Sequence, residues 1–367
     1  MQQILTYTFL VFYTVTILSI VLVIITDNRN PLKTLPWIIV LVFAPVVGLV
    51  FYFFFGQNLS KRRIISRRTR RRITMQLEEA RDTGRPEIPE EHRRLAALLY
   101  STTHSVALYG SRITPYTDGR SKMEALLAEI ARAKHHIHIQ YYIFCDDETG
   151  RRLRDALVEK VRQGVEVRIL YDDVGCSGVK KDFFEGMRRE GIEVFSFLHV
   201  KFPLFTSKVN YRNHRKIAVI DGRVGFIGGM NVADRYVRGT GWGSWRDTHF
   251  RIEGSGAAGL QVSFLSDWSA TTKQHITGAA YFPQSERHAE NILQIVPSGP
   301  FGQWRALLQA DSYAVSNARR RIWIQTPYYL PSDVLNTALQ VAALAGVDVR
   351  LMLPARSDSK VVDLASH

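Results

Sequence analysis

One stretch of the chain, residues 211–231, constrains its fold more than any other. It reads YRNHRKIAVIDGRVGFIGGMN, two short apolar runs joined by Asp221-Gly222. Side chains alternate between the two faces of a strand, so His214 and Lys216 are expected on the same face. Aspartate followed by glycine favours a two-residue hairpin turn, and Gly228-Gly229 allows a ligand or another segment to approach the backbone closely. The stretch is therefore predicted to be a β-hairpin that carries a polar site.

The residue types in this hairpin suit chemistry on a phosphate group. An imidazole can attack phosphorus or protonate a leaving oxygen, and its pKa lies near neutrality. A lysine ammonium can hold a phosphate as a point charge, and an aspartate can orient an imidazole and stabilise its charged form. A His-x-Lys pair alone usually lies on the solvent-exposed face of an ordinary strand, whereas six positions at fixed spacing favour a functional site. These positions are His214, Lys216, Asp221, Gly228, Gly229 and Asn231.

Two uncharged apolar stretches near the N-terminus are each long enough to span a bilayer. They cover residues 4–25 and 35–55, and the proline and glycine within the second are tolerated in membrane helices. A cleaved signal peptide is the alternative for the first stretch. However, that stretch has no basic n-region and no small-residue cleavage site, and a second stretch follows at once. Residues 1–60 are therefore predicted to be a two-helix transmembrane hairpin.

A basic run follows the second apolar stretch and opens a linker at 61–104. Eight of the twelve residues 61–72 are Lys or Arg, and the 367-residue chain has a formal net charge of +14. The positive-inside rule places such a run in the cytoplasm. It can serve as a determinant of topology alone, as a site for anionic lipid or as a site for nucleic acid. Its position beside a membrane span favours lipid.

Helical and strand patterns alternate in the rest of the chain, which indicates βαβ units and a largely parallel sheet. The predicted elements are helix 123–133, strand 135–144, helix 151–162, strand 165–171, helix 180–190 and strand 192–197. Another strand is expected within 242–253. There Trp245, Asp247 and His249 either line the site or pack as an ordinary strand.

An internal repeat indicates two lobes of this α/β type. IHIQY at 137–141 matches IWIQT at 322–326. The helix, glycine turn and strand of 157–170 are likewise matched by those of 339–351. The chain is therefore predicted to be a tandem of α/β lobes behind the N-terminal hairpin.

The two lobes are expected to differ in content. The first covers 105–290 and holds the signature, while the second covers 291–367 and ends before the position where the repeat would place another His-x-Lys. No second HxKx4D occurs in the sequence, and the final residues VVDLASH are typical of the middle of a helix. We therefore expect a second lobe truncated at its C-terminal side, with a natural one-motif protein as the alternative.

These residues carry a resemblance to a known family. The pattern HxKx4Dx6GGxN resembles the HKD signature of the phospholipase D superfamily, and the chain as a whole is similar to its bacterial cardiolipin synthases. The similar segments, besides the apolar hairpin and the signature, are YYIF, YDDVG, SWRDTH, TPYYLP and LPARSDSK.

The resemblance implies a tandem phospholipase D-like fold and a phosphatidyltransferase. One phosphatidylglycerol would donate its phosphatidyl group to a histidine, and a second would accept it, which gives cardiolipin and glycerol. The resemblance implies catalytic roles, with His214 as nucleophile or general acid, for His214, Lys216 and Asp221. The phosphate-binding residues that it implies are Lys216, Asn231, Gly228 and Gly229. Two signatures form one site in the family, so a chain with one is expected to be inactive alone.

The resemblance implies no metal and no other cofactor. His135, His136 and His138 have no carboxylate or cysteine at ligand spacing nearby, so they do not predict a zinc site either. The implied partners are phosphatidylglycerol and anionic membrane lipid, without nucleic acid, in a bacterial inner membrane with the lobes in the cytoplasm. The alternatives are a membrane-anchored phospholipase D, a nuclease of the same chemistry, and a non-catalytic lipid-binding product.

Overall fold

A computed structural model describes residues 1–27, 31–52, 65–80, 87–197, 212–241, 243–299 and 304–355. The N-terminal part consists of helices α1 (Gln2–Asp27), α2 (Pro31–Phe43) and α3 (Pro45–Phe51). Two further helices, α4 (Arg67–Ala80) and α5 (Glu90–Thr103), lead into the body. The elements of the body are β1 (Leu108–Tyr109), β2 (Arg112–Tyr116), α6 (Gly119–Arg132), β3 (His136–Tyr141), α7 (Glu148–Arg162), β4 (Glu166–Asp172), α8 (Lys181–Arg189), β5 (Glu193–Phe197), β6 (Lys216–Ile220), β7 (Val224–Gly228), α9 (Asp234–Arg238), β8 (His249–Glu253), α10 (Ser255–Thr272), β9 (Ile292–Leu293), α11 (Ala306–Ser316), β10 (Arg321–Gln325), α12 (Asp333–Leu344) and β11 (Asp348–Met352).

The N-terminal helices carry many exposed apolar side chains. On α1 they recur at helical spacing, at Ile4, Tyr7, Val11, Val15, Leu18 and Leu22. By length and apolar character, none of the helices in the described residues qualifies as a membrane span. The predicted spans at 4–25 and 35–55 are thus not confirmed. The second is divided at Ala44, because Pro45 has no amide hydrogen with which to continue the helical hydrogen bonding.

The body is built on a seven-stranded sheet with the order β2-β8-β7-β6-β3-β4-β5. Only β3, β4 and β5 pair in parallel, and the other neighbours in the sheet are antiparallel. The predicted α/β class is confirmed, but the prediction of a largely parallel sheet is wrong. A two-residue turn returns the chain beside the strand it has just left, so β6 and β7 must be antiparallel.

The predicted hairpin turn is present between β6 and β7. Asp221 and Gly222 both have positive φ angles, 50° and 66°, as a type I′ turn requires. The predicted alternation along β6 is also confirmed. Ala218 packs in the core that β3, β4 and helices α6 to α8 form, whereas Ile217 packs with Leu260 of α10. The sheet therefore lies between two helical layers, and neighbouring residues of β6 face different layers.

The predicted repeat corresponds to two parallel βαβ units. In the first, β3 and β4 pair in parallel and are joined by α7, and in the second, β10 and β11 pair in parallel and are joined by α12. The second unit has its own small core around Val315, Ile322 and Leu339. Arg246, which precedes β8, donates from Nη1 to Gln325 Oε1 at 3.1 Å and so links the first unit to the end of β10.

Candidate active site

The structure places His214 and Lys216 together at the edge of the sheet where β3 and β4 end. His214 lies just before β6, and its ring is exposed at 4.6 Å from the ring of Tyr142, between centroids. Lys216 begins β6 and is only 2% exposed. Its Nζ donates to the carbonyl oxygen of His214 at 2.6 Å and lies 5.3 Å from the centre of the Tyr142 ring. A partly exposed imidazole thus lies beside a buried ammonium group.

Burial governs the charge of both groups. It lowers the pKa of Lys216 to about 7, although the carboxylates of Asp247 and Asp172 act in the opposite direction. Desolvation also lowers the pKa of His214, and the nearby Lys216 lowers it further. His214 is therefore mostly neutral at pH 7, with a ring nitrogen free to attack. An arriving phosphate would stabilise the ammonium form of Lys216, because opposite charges favour each other's ionised states.

The two glycines of the signature make room for a neighbouring segment of the chain. A Cβ on Gly228 would collide with Thr248 and His249, and a Cβ on Gly229 would collide with the carboxylate of Asp247. The amide of Gly229 donates to the carbonyl oxygen of Thr248 at 2.9 Å. Their predicted role in phosphate binding stays a prediction. They allow Asp247 to lie within electrostatic reach of Lys216, so one of the two open interpretations of 242–253, lining the site, is favoured.

Asn231 is buried, and both ends of its side-chain amide are engaged. Oδ1 accepts a hydrogen bond from the backbone of Ile143 at 3.0 Å, and Nδ2 donates to the Tyr236 hydroxyl at 2.7 Å. Ile143 directly follows Tyr142, which flanks His214. Asn231 therefore fixes a wall of the site in this structure, and its predicted contact with phosphate remains a prediction.

Asp221 does not lie beside His214, and the prediction that it orients the imidazole is wrong. Arg215 and the five residues of β6 separate the two, so their Cα atoms are seven steps apart along an extended segment, about 23 Å at the usual rise per residue. The Asp221 carboxylate accepts hydrogen bonds from the backbone amides of Lys134, His135 and His136 at 2.8, 2.8 and 2.9 Å. It therefore fastens the hairpin turn to the start of β3, and its role is structural.

Two buried ionisable residues, Lys122 and His249, lie next to the site, and the sequence analysis missed the first of them. Lys122 of α6 is fully buried and donates to the Tyr141 hydroxyl at 2.8 Å, and burial lowers its pKa to about 7. His249 is fully buried too, and neither ring nitrogen has a hydrogen-bond partner among the described residues. Desolvation, with Lys122 and Lys216 nearby, lowers the pKa of His249 to about 2. The sequence had offered His249 as a residue that could line the site, whereas no local pattern marks Lys122, because the two residues meet only through the packing of α6 and β8 on the sheet.

The three clustered histidines form a separate network at the other end of β3. Gln261 of α10 joins two of them: its Nε2 lies 3.1 Å from Nε2 of His136, and its Oε1 lies 3.0 Å from Nδ1 of His138. Nδ1 of His135 and Nδ1 of His136 are 2.8 Å apart. His138 also stacks on Phe264 at 4.4 Å between centroids. His136 and His138 are buried, so their part of the network belongs to the packed interior, whereas His135 lies exposed at its edge.

Because the pKa values of the buried histidines are low, we predict that the fold loses stability in mild acid. Burial lowers the pKa of His136 to about 3 and that of His138 well below its usual value. Between these values and 6.5 the unfolded chain binds protons that the folded chain does not, so the free energy of unfolding falls as pH falls. The slope is about 1.4 kcal/mol per pH unit for each such histidine. Thermal unfolding followed at pH 7, 6 and 5 should show a falling midpoint, and His138→Gln should reduce the slope. A midpoint unchanged between pH 7 and 5 would contradict this account.

Comparisons with known proteins show which family the chain resembles. Residues 126–242 match the family model described as cardiolipin synthase, PLD-like domain, and residues 12–57 match the one described as phospholipase D-nuclease N-terminal. The chain is 37% identical to a cardiolipin synthase of Alkalihalophilus pseudofirmus, over 97% of this chain and 73% of that relative. It is 36% identical to the major cardiolipin synthase of Bacillus subtilis, over 96% of this chain and 75% of the relative.

A solved structure supports the fold independently. Phosphatidylserine synthase from Haemophilus influenzae superposes with a TM-score of 0.52 at 16% identity, covering 72% of this chain and 66% of that one. At this identity the likeness concerns the fold alone.

Proposed function

Because the chain belongs to the cardiolipin synthases of the phospholipase D superfamily, we propose that its hairpin site moves a phosphatidyl group between two phosphatidylglycerol molecules through His214. A neutral ring nitrogen of His214 attacks phosphorus, the bond from phosphorus to the oxygen of the headgroup glycerol breaks, and this glycerol leaves with a proton from water, to which the second step returns one. The terminal hydroxyl of a second phosphatidylglycerol then attacks the phosphohistidine, gives up its proton and regenerates the imidazole. The products are cardiolipin and glycerol.

One observation carries the role of His214 as nucleophile rather than general acid. Its ring is exposed, and its pKa is lowered by desolvation and by Lys216. A general acid must hold a proton at working pH, whereas a nucleophile must not. The neighbouring Lys216 supplies the charge for the phosphate, and Asp247 limits the fall of the Lys216 pKa. The reaction needs no metal in this scheme, because the charge that meets the phosphate comes from lysine.

The N-terminal part would hold the site against the membrane. Residues 4–25 carry no charge, and the exposed apolar side chains of α1 would be covered by lipid if the helix lies in a bilayer. We place residues 1–60 in the inner membrane as a multi-pass anchor, with lobes 105–290 and 291–367 in the cytoplasm. Exposed Arg68, Arg71 and Arg72 of α4 would then face anionic headgroups, which attract basic residues close to a membrane surface.

A lipid assay on the purified chain in detergent tests this function. Phosphatidylglycerol labelled in its acyl chains is added, lipids are separated by chromatography, and His214 is examined by mass spectrometry for a phosphatidyl adduct. We expect the adduct on His214. We also expect cardiolipin, with glycerol released in equal amount, where two copies of the chain bring their signatures together, since one signature alone is expected to be inactive. Phosphatidic acid as the main product would identify a hydrolase instead, and digestion of added plasmid would identify a nuclease. An adduct without cardiolipin would agree with the expectation that one signature is half a site.

A further inference from the structure

We infer that Asp267 and Asp172 are positioning residues, which hold the segment bearing His214 by binding Asn213 from two sides. The inference rests on the proposed function, since it concerns how that function's nucleophile is held. Asp267 lies on α10 and Asp172 ends β4, so the two carboxylates reach the segment from different layers of the fold.

Asp267 is a buried carboxylate on which three side chains converge. Its Oδ2 accepts from Asn213 Nδ2 at 2.8 Å and from Gln140 Nε2 at 2.7 Å, and it also pairs with the guanidinium of Arg215. Asn213 and Arg215 are the residues immediately before and after His214. Asp267 therefore holds both chain neighbours of His214, and Gln140 ties the same carboxylate to β3.

Asp172 binds the same segment from the side of the sheet. It is 1% exposed, and its Oδ2 accepts from the backbone amide of Asn213 at 3.0 Å. Its other oxygen accepts from the backbone amides of Val174 and Gly175 at 2.9 and 3.2 Å, and Nη1 of Arg212 lies 3.5 Å away. Asn213 is consequently bound through its backbone by one carboxylate and through its side chain by the other.

These hydrogen bonds fix the segment that carries His214 and leave its imidazole ring free. Strand alternation sends Asn213 and Arg215 toward α10, while His214 and Lys216 face the opposite side. Among the described residues neither carboxylate is hydrogen-bonded to the His214 ring. Both therefore hold the ring through the backbone, and Asp172 also opposes the fall of the His214 pKa electrostatically. A histidine on an exposed segment would otherwise visit many orientations. Holding a nucleophile near its attack geometry is worth large factors in rate, and small displacements can cost about a hundredfold.

The cost of burying the carboxylates of Asp267 and Asp172 indicates that they do more than fill space in the core. Removing a carboxylate from water is costly unless several hydrogen bonds compensate, and here each carboxylate has three or more donors. Replacing Asp267 by asparagine keeps the shape but loses the charge. It turns one acceptor into a donor that faces Asn213, Gln140 or Arg215. The expected consequence is a loosened His214 segment in a protein whose sheet is intact.

The test compares Asp267→Asn with a matched control, Glu129→Gln. Glu129 is also a buried carboxylate and binds an arginine, Arg251, at 2.8 Å, but it lies on α6 and does not contact the His214 segment. The full chain is purified in detergent, and the rate of His214 modification by diethylpyrocarbonate is measured by mass spectrometry from pH 5 to 8. The rate of cardiolipin formation is measured in parallel as kcat and KM.

We expect Asp267→Asn to raise the modification rate of His214 at least threefold and to move its apparent pKa upward, toward the usual value for histidine. We also expect kcat to fall roughly ten- to a hundredfold with KM changed less than threefold. Glu129→Gln should match the wild type in both readouts. Asn213→Ala, which removes the partner side chain, should reproduce the increased modification if Asp267→Asn does not fold.

Unchanged modification and unchanged kcat in both Asp267→Asn and Asn213→Ala would overturn the inference. So would an equal response of Glu129→Gln, because the effect would then follow from any lost buried charge. The modification readout does not depend on turnover. If the wild type makes no cardiolipin and forms no adduct, the proposed function fails, while the comparison of modification rates still decides whether the carboxylates hold His214.

Discussion

His214→Gln is expected to lower the rate of cardiolipin formation by at least about a thousandfold, because removing one member of a catalytic unit costs several orders of magnitude. Glutamine has no nitrogen that can attack phosphorus at neutral pH, yet it fills a similar volume. The ring of His214 is exposed, and the segment is held through Asn213 and Arg215 rather than through the ring. The fold should therefore be intact, with thermal unfolding within a degree or two of the wild type.

A histidine elsewhere provides the control for this experiment. His92 is exposed on α5, where its Nε2 lies 3.3 Å from the carboxylate of neighbouring Glu91, so His92→Gln should leave the rate within twofold of the wild type. Both proteins are assayed with labelled phosphatidylglycerol at equal folded concentration. A His214→Gln enzyme that kept even a tenth of wild-type activity would exclude His214 as the group that carries the phosphatidyl group.

Asp221→Asn is expected to destabilise the fold by about 3 kcal/mol while leaving turnover per folded molecule within twofold. Three backbone amides donate to this carboxylate, and hydrogen bonds to charged groups are worth about 1.5–3 kcal/mol each. Asparagine tolerates the positive φ of 50° at this turn, so the substitution tests the carboxylate and not the backbone. It retains one acceptor oxygen but presents an amide donor where Asp221 had its second.

The measurement separates stability from catalysis. Thermal unfolding should shift downward by roughly 5–10 °C for a body of this size, and activity is compared at a temperature where both proteins are folded. Asp155→Asn, an exposed carboxylate on α7, serves as control and should shift the midpoint by much less. A hundredfold loss of turnover with unchanged stability would show instead that Asp221 acts on the imidazole, against the geometry described above.

Local patterns were enough to predict much of the body. The two-residue alternation along 214–220 correctly placed His214 and Lys216 apart from Ile217, because the pleat of a strand fixes which face each residue takes. Asp221-Gly222 correctly predicted the hairpin, since both residues accept positive φ. The repeat correctly predicted a second parallel βαβ unit, because matched apolar spacing builds matched elements.

Long-range pairing decided the rest. The same hairpin that brings His214 beside Lys216 carries Asp221 to the far end of β6, so adjacency in the signature did not mean adjacency in the site. The direction of β6 against β3 also followed from tertiary pairing and not from the helix and strand alternation, which had suggested parallel strands.

By itself, then, the sequence determined the family, the hairpin and the two residues at the centre of the site, all of which depend on close neighbours in the chain. Only the tertiary structure decided which carboxylates serve that centre. Asp172 lies 41 residues before Asn213 and Asp267 lies 54 residues after it, and each reaches Asn213 through the order of strands and the packing of α10. Local periodicity carries no information about such long-range contacts, because they form only once the sheet and its two helical layers have packed together.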